Sequence, residues 1–232
     1  MNKVRNVVKE ELLGWKPWEV AWLIVACTTI LALSVYWQDT AMGIVSAIAG
    51  VACVVCTGKG KLSAYLFGTI NTLLYAIISY KARFYGEVML NALYYFPMQF
   101  YGIYVWSKHM NEETHEVEKK EMQPRRKILL GIIVAGATAV YGFILQTLGG
   151  TLPYVDALST VVSVVAMIIS IKMYAEQWIL WIVVDVVTVI MWAFAFMQGS
   201  DSIATLLMWV VYLVNAFLMY AKWMKEARGH AV

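Results

Sequence analysis

From about residue 18 onward the chain alternates long apolar runs with short polar breaks. Eight runs stand out, at about 18–37, 41–57, 63–80, 86–107, 127–147, 154–171, 177–197 and 202–221. Each is long enough to cross a hydrocarbon core of about 30 Å at about 1.5 Å per residue. Their apolar positions do not alternate with polar ones at a period of two, so the pattern predicts helices and excludes barrel strands. Composition points the same way: 61% of 232 residues are apolar and 14% charged, with ten tryptophans, a balance foreign to soluble domains. The fold class expected is all-α and polytopic, with eight transmembrane helices.

Charge sets the orientation. Sixteen of the eighteen Lys and Arg residues fall in breaks on one side, and only Lys81 and Arg83 fall on the other. The positive side faces the cytoplasm, so both termini are expected there, which an even number of spans also requires. The net charge of +3 therefore reports topology and gives no indication of nucleic-acid binding. The N-terminus lacks the pattern of a cleaved secretory signal. Residues 3 to 14, KVRNVVKEELLG, read either as an amphipathic segment on the membrane surface or as a solvated tail.

Sliding the chain against itself by 114 positions lays Asn71 on Asp185, Phe67 on Trp181, Ala52 on Ala166, Tyr95 on Trp209 and Trp106 on Tyr220. Polar and aromatic positions match at one offset, which predicts a repeat of three spans. Matching spans lie four crossings apart, so the halves are expected to run parallel, related by an axis along the membrane normal. The expected organisation is a cytoplasmic segment and extra helix (1–37), a first three-helix repeat (41–107), a cytoplasmic loop and linker helix (108–147), a second repeat (154–222) and a cytoplasmic tail (223–232). His109 and His115 fall in the charged loop HMNEETHEVEKKEMQPRRK, which reads as a solvated connector.

The polar residues inside the spans carry the functional expectation. Trp178, Trp181, Asp185, Thr188 and Trp192 follow spacings of three and four, one face of a helix. An aspartate at mid-span costs on the order of 2.5–3.5 kcal/mol on insertion scales, more than one interhelical hydrogen bond of about 0.6–2 kcal/mol returns. Such a residue is expected to face a solute. Phe67, Asn71 and Tyr75 form the equivalent stripe in span three. Asn91, Tyr95, Gln99, Gly102 and Trp106 do so in span four, and Trp209, Tyr212 and Asn215 in span eight. Pro97 deprives the Leu93 carbonyl of its donor and predicts a bend. Trp15, Trp18, Trp22 and Trp37 are expected at the membrane interface, and Tyr94 and Tyr104 in packing. Converging aromatic faces and amides describe a site for a planar, hydrogen-bonding solute, with aromatic faces also attracting organic cations.

Catalytic and cofactor motifs are absent from the chain. TGKGKLS is too short for a phosphate-binding loop, and neither H-E-x-x-H nor G-x-S-x-G occurs. Cys27, Cys53 and Cys56 lie inside apolar runs and read as packing residues. No enzyme activity, metal or cofactor is expected.

The motif W-x-x-W-x-x-x-D at Trp178, Trp181 and Asp185, set in a one-three-one-three layout from about 18 to 222, resembles the PnuC vitamin transporters. The resemblance implies a SWEET-like fold in a bacterial inner membrane and uptake of nicotinamide riboside by facilitated diffusion. It also implies a homo-oligomer, often a trimer, surrounded by lipid, and trapping by a cytoplasmic kinase. Nicotinamide riboside is a pyridinium cation with a carboxamide and ribose hydroxyls. These suit the faces of Trp181 and Tyr95, the amides of Gln99 and Asn91, and the Asp185 carboxylate in turn. Asparagine replaces the aspartate in some members, which favours substrate hydrogen bonding over proton carriage. Members that carry thiamine, and substrate-binding subunits of ATP-driven importers, are the competing expectations.

Overall fold

The computed structural model describes residues 10–149, 153–199 and 203–229, so most of the N-terminal segment read as amphipathic lies outside the described residues. The helices are α1 (Pro17–Tyr36), α2 (Ala41–Lys59), α3 (Ser63–Lys81), α4 (Tyr85–Met89), a π-helical stretch (Leu90–Tyr95), α5 (Phe96–Ser107), α6 (Pro124–Thr147), α7 (Pro153–Ile171), α8 (Gln177–Met197) and α9 (Ile203–Gly229). Among the described residues β-structure is limited to isolated bridges, Met110 with Val117 and Lys120 with Tyr174. The helices fall on the eight apolar runs, the fourth being α4, the π stretch and α5 in unbroken succession. Six of them, α1, α2, α6, α7, α8 and α9, are long and apolar enough to cross a membrane.

Local chemistry fixes the ends. Pro17 opens α1, where its missing N–H is no loss, and Glu19 reaches back to the Lys16 N–H at 2.9 Å. Thr40 caps α2 by accepting the Gly43 N–H at 3.0 Å. Gly60 closes α2 in the left-handed region at φ 86°, where a side chain is disfavoured. Ahead of Pro97 the chain does not simply bend as expected. It adopts the wider π register, in which the Phe96 N–H donates to the Asn91 carbonyl five residues back. The extra residue per turn rotates the face, leaving Tyr95 half-buried between the buried Asn91 and Gln99.

The chain divides into two compact units, Met1–Glu118 with Val189–Asn215, and Lys119–Thr188 with Ala216–Val232. In the first, glycines let helices approach closely. A Cβ on Gly68 would lie 2.6 Å from Gln99 Oε1, and one on Gly102 2.1 Å from Tyr65 Cε1. Tyr65 in turn meets Trp106 edge-on at 5.0 Å.

The lysines of TGKGKLS, expected only to orient the chain, are built into the structure. Lys59, 4% exposed, pairs with Glu19 at 3.1 Å and Glu116 at 2.9 Å. Lys61, fully buried, donates to the carbonyls of Glu10 and His115 at 2.9 Å each. The charged loop is likewise no solvated connector: Val117, Lys119 and Met122 are buried. In the first unit the Val117 N–H bonds the Gly60 carbonyl at 3.0 Å. In the second, Lys120 and the turn at Met173–Ala175 exchange backbone bonds of 2.9 and 2.8 Å. Sequence displays these charges but not their partners.

The second unit carries its own ion network. Glu121 bonds Arg228 at 2.8 and 3.1 Å and Lys127 at 2.8 Å, while Lys127 also meets the buried Glu176 at 2.9 Å. The Arg228 guanidinium, with Lys127 beside it, holds the Glu121 carboxyl down at about 2. Glu176 accepts the Met122 N–H at 3.1 Å, which fastens the loop to the start of α8.

The glycine contacts give a direct test. Gly102→Ala forces a methyl into the Tyr65 ring and is expected to lower stability by about 1–3 kcal/mol in thermal unfolding of the detergent-solubilised protein. Gly131→Ala, where a Cβ meets nothing within 4 Å, is the control and should leave the transition unchanged or slightly raised.

Candidate functional site

The α8 stripe points inward, as its spacing predicts. Trp178, Asp185, Thr188 and Trp192 are buried and Trp181 is half-buried, while Ile179, Val183, Val186, Ile190 and Phe194 are exposed on the opposite face. In a membrane those apolar side chains meet acyl tails, and the polar ones do not.

In the second unit the unusual group is Asp185. It is 2% exposed and makes no hydrogen bond or ion pair to any described residue. Its neighbour one turn on has spent its hydroxyl locally, Thr188 Oγ1 donating to the Val184 carbonyl at 2.8 Å. Trp178 packs edge-on against Trp223 at 5.8 Å, and its Nε1 has no hydrogen-bond partner among the described residues. A carboxylate so placed has its acceptors free, and the tryptophans on the same face offer flat surfaces. Such a face can take up a planar solute bearing hydroxyl or amide donors.

The first unit gathers most of the other predicted residues, and largely satisfies them. Tyr75 stands at 6.0 Å from Trp192 and 5.6 Å from Trp209, and its hydroxyl accepts the Trp192 Nε1–H at 2.8 Å. Trp209 meets Tyr212 at 5.1 Å, and Phe84 meets Trp192 at 5.2 Å, so five aromatic rings form one connected cluster. Asn71 donates to the Ser46 carbonyl at 2.9 Å and receives the Tyr212 hydroxyl at 3.4 Å. A Cβ on Gly50 would lie 2.0 Å from that hydroxyl, so the glycine makes room for it. Asn215 is tied on both sides, accepting from Trp22 Nε1 and donating to the Val54 carbonyl, each at 3.2 Å.

Other expectations shift. Trp22 is not an interfacial anchor: its ring nitrogen binds α1 to α9, whereas Trp18 and Trp37 do remain exposed. Asn91 turns to its own helix, donating to the Glu87 carbonyl at 2.9 Å. Gln99 is buried against Gly68, while Phe67 and Tyr95 are half-buried. Sequence reading missed Ser46, Gly50 and Phe84. Ser46 and Gly50 are one helical turn apart, a spacing that marks a close approach only once the neighbouring helix is known.

The profile of the family described as nicotinamide mononucleotide transporter matches residues 40–225. A Neisseria mucosa protein named nicotinamide riboside transporter PnuC is 42% identical over 96% of this chain and 87% of its own. A Haemophilus influenzae protein of the same name is 31% identical over 97% of both chains. This chain belongs to the PnuC family of membrane transporters. A solved structure, described as the crystal structure of the vitamin B3 transporter PnuC, superposes with a TM-score of 0.86 at 41% identity, covering 96% of this chain and 97% of that one. The PnuC fold thus extends over nearly the whole sequence, and the chain is a multi-pass transporter rather than an enzyme.

A buried carboxylate without a partner weakens the protein that holds it. In the ligand-free PnuC chain, Asp185→Leu is therefore expected to raise stability by about 1–3 kcal/mol, read as an upward shift in thermal unfolding. A downward shift would assign the carboxylate a structural partner.

Proposed function

We propose that this chain takes up nicotinamide riboside by facilitated diffusion across the inner membrane of a bacterial cell. Both termini lie in the cytoplasm and a cytoplasmic kinase traps the product. The observation that carries the reading is the Asp185 carboxyl group, buried without a hydrogen-bond partner among the described residues, on a face shared with Trp178 and Trp181. Relatives named nicotinamide riboside transporters supply the substrate. The intramembrane stripes carry no Lys or Arg, so the phosphate of the mononucleotide would have no cation to meet there. The riboside, a monocation without phosphate, needs none.

In this reading Trp181 and Trp178 face the pyridinium and Asp185 accepts the ribose hydroxyls. Asn71, Phe67, Tyr75, Asn91, Tyr95, Gln99, Thr188, Tyr212 and Asn215 shape or support the path. Those already bonded to protein, Asn71 and Asn215 above all, act chiefly as scaffold. The three-one-three repeat is supported by the way spans close. Left-handed residues follow α1, α2 and α3 at Gln38, Gly60 and Arg83, and again follow α6, α7 and α8 at Gly149, Met173 and Gly199. Assembly as a homo-oligomer would use apolar surface such as that of α6, most of which is exposed.

No ion coupling is required. An inside-negative potential of about 100 mV favours entry of a monocation by about 2.3 kcal/mol, or roughly 50-fold. Purified protein in liposomes should therefore accumulate labelled riboside when a potassium diffusion potential is imposed, without a proton or sodium gradient. Accumulation that collapses with a proton gradient alone would overturn the mechanism, and absence of uptake would favour a binding subunit. Trp181→Ala and Asp185→Ala are each expected to weaken riboside binding at least tenfold while the protein remains folded. Unchanged affinity in both would make the stripe packing, and tighter binding of thiamine than of the riboside would replace the substrate.

A further inference from the structure

The first unit holds a cavity of about 800 Å³ at the ends of α3 and α8, whose α8 lining begins at Met191, further along the helix than Asp185. Its lining includes Lys81 and Arg83, with the half-buried Phe84 beside them and the fully buried Trp192 beneath. These two cations are the whole basic complement of the face opposite the other sixteen Lys and Arg residues. Both line the same cavity, and neither side chain forms an ion pair or hydrogen bond with the described residues. Asp39, the carboxylate in the lining, is engaged elsewhere: it accepts the Thr40 N–H at 2.6 Å and the Ala204 N–H at 2.7 Å.

The backbone adds an independent sign. Arg83 is left-handed, at φ 62°, and closes α3; Gly199, at φ 89°, closes α8 and lines the same cavity. Glycine adopts this conformation without penalty and arginine does not. An arginine kept where the corresponding turn has glycine holds its guanidinium at the cavity against a local cost. Two positive charges at a mouth repel a monocation, so they do not serve to attract the pyridinium of the riboside.

We infer that this cavity is a docking site for a phosphomonoester, with Lys81 and Arg83 receiving the phosphate and the half-buried ring of Phe84 receiving a planar base. The guanidinium fork suits bidentate phosphate contact, and the ammonium supplies a second charge. A phosphorylated nucleoside in solution and the phosphomonoester headgroup of phosphatidic acid offer the same chemistry. The inference builds on the riboside reading in one respect only, that the docked nucleotide is held at the mouth and not carried.

The test measures binding directly. Full-length protein in nanodiscs of neutral phosphatidylcholine is titrated with nicotinamide mononucleotide and with AMP by isothermal calorimetry. Both are expected to bind, and Lys81→Gln with Arg83→Gln is expected to weaken both at least tenfold while riboside affinity stays within twofold. Asp185→Ala should leave mononucleotide binding intact, which keeps the result separate from the riboside reading. Discs containing phosphatidic acid distinguish the sources. Weaker mononucleotide binding there, abolished as a difference in the double variant, supports the site and makes the lipid phosphate its occupant. Absence of phosphomonoester binding in neutral discs, or binding unaffected by the double variant, overturns the proposal.

Discussion

Hydrocarbon offers no hydrogen bonds, and that one constraint arranges nearly everything in this chain. It forces the backbone into helices, whose internal bonds satisfy their own polar groups. It then sorts the side chains, since a group that wants a partner must turn away from lipid to find one. On α8 the result is two opposed faces, with Ile179, Val183, Val186 and Ile190 exposed and Trp178, Asp185 and Thr188 buried. The same pressure explains why most buried polar groups here are already bonded: Thr188 to Val184, Asn215 to Trp22 and Val54, Asn71 to Ser46. Asp185 is an exception, as are the Trp178 Nε1 and the Gln177 amide on the same helix, buried without a hydrogen-bond partner among the described residues.

That contrast separates scaffold from site more sharply than residue type does. Asparagine, tyrosine and tryptophan recur on four spans, and by composition any of them could meet a solute. Geometry divides them. The Tyr75, Trp192, Trp209 and Tyr212 cluster is bonded ring to ring, and such edge-on pairs add roughly 0.5–1.5 kcal/mol each beyond their burial. A group already engaged must give up a bond to take a ligand, whereas a free carboxylate gains one.

The helices were legible because hydrophobic run length and inward polar spacing are local properties of sequence. Span boundaries fall within about three residues of the expected ones except at the last, where α9 runs past 221 to Gly229 and takes up most of the expected tail 223–232, and the α8 stripe faces as its periodicity requires. What escaped depends on contacts between distant segments. Trp22 looked interfacial because nothing near it in sequence reveals Asn215, which lies 193 positions away. Lys59 and Lys61 looked like orienting charges because Glu19, Glu116 and the carbonyls that hold them come from other breaks. Pro97 was visible as an interruption, yet whether the helix bends or widens is decided by packing around Gly68 and Gly102 as much as by the ring itself.

The turns after α2 and α7 show how such distant contacts can converge on one solution from different residues. Gly60 and Met173 both reverse the chain in the left-handed region, at φ 86° and 64°, and each presents its carbonyl to a backbone N–H of the loop, Val117 for one and Lys120 for the other. Glycine reaches that conformation freely. Methionine loses about 1–2 kcal/mol by it, but its side chain is buried, and burying a methionine contributes about 1.5–3 kcal/mol. Burial thus offsets the strain, and a residue that local rules disfavour is held by the core beneath it. Two turns closed by different residues thus share a backbone conformation and a bond to the loop, and either residue meets that requirement.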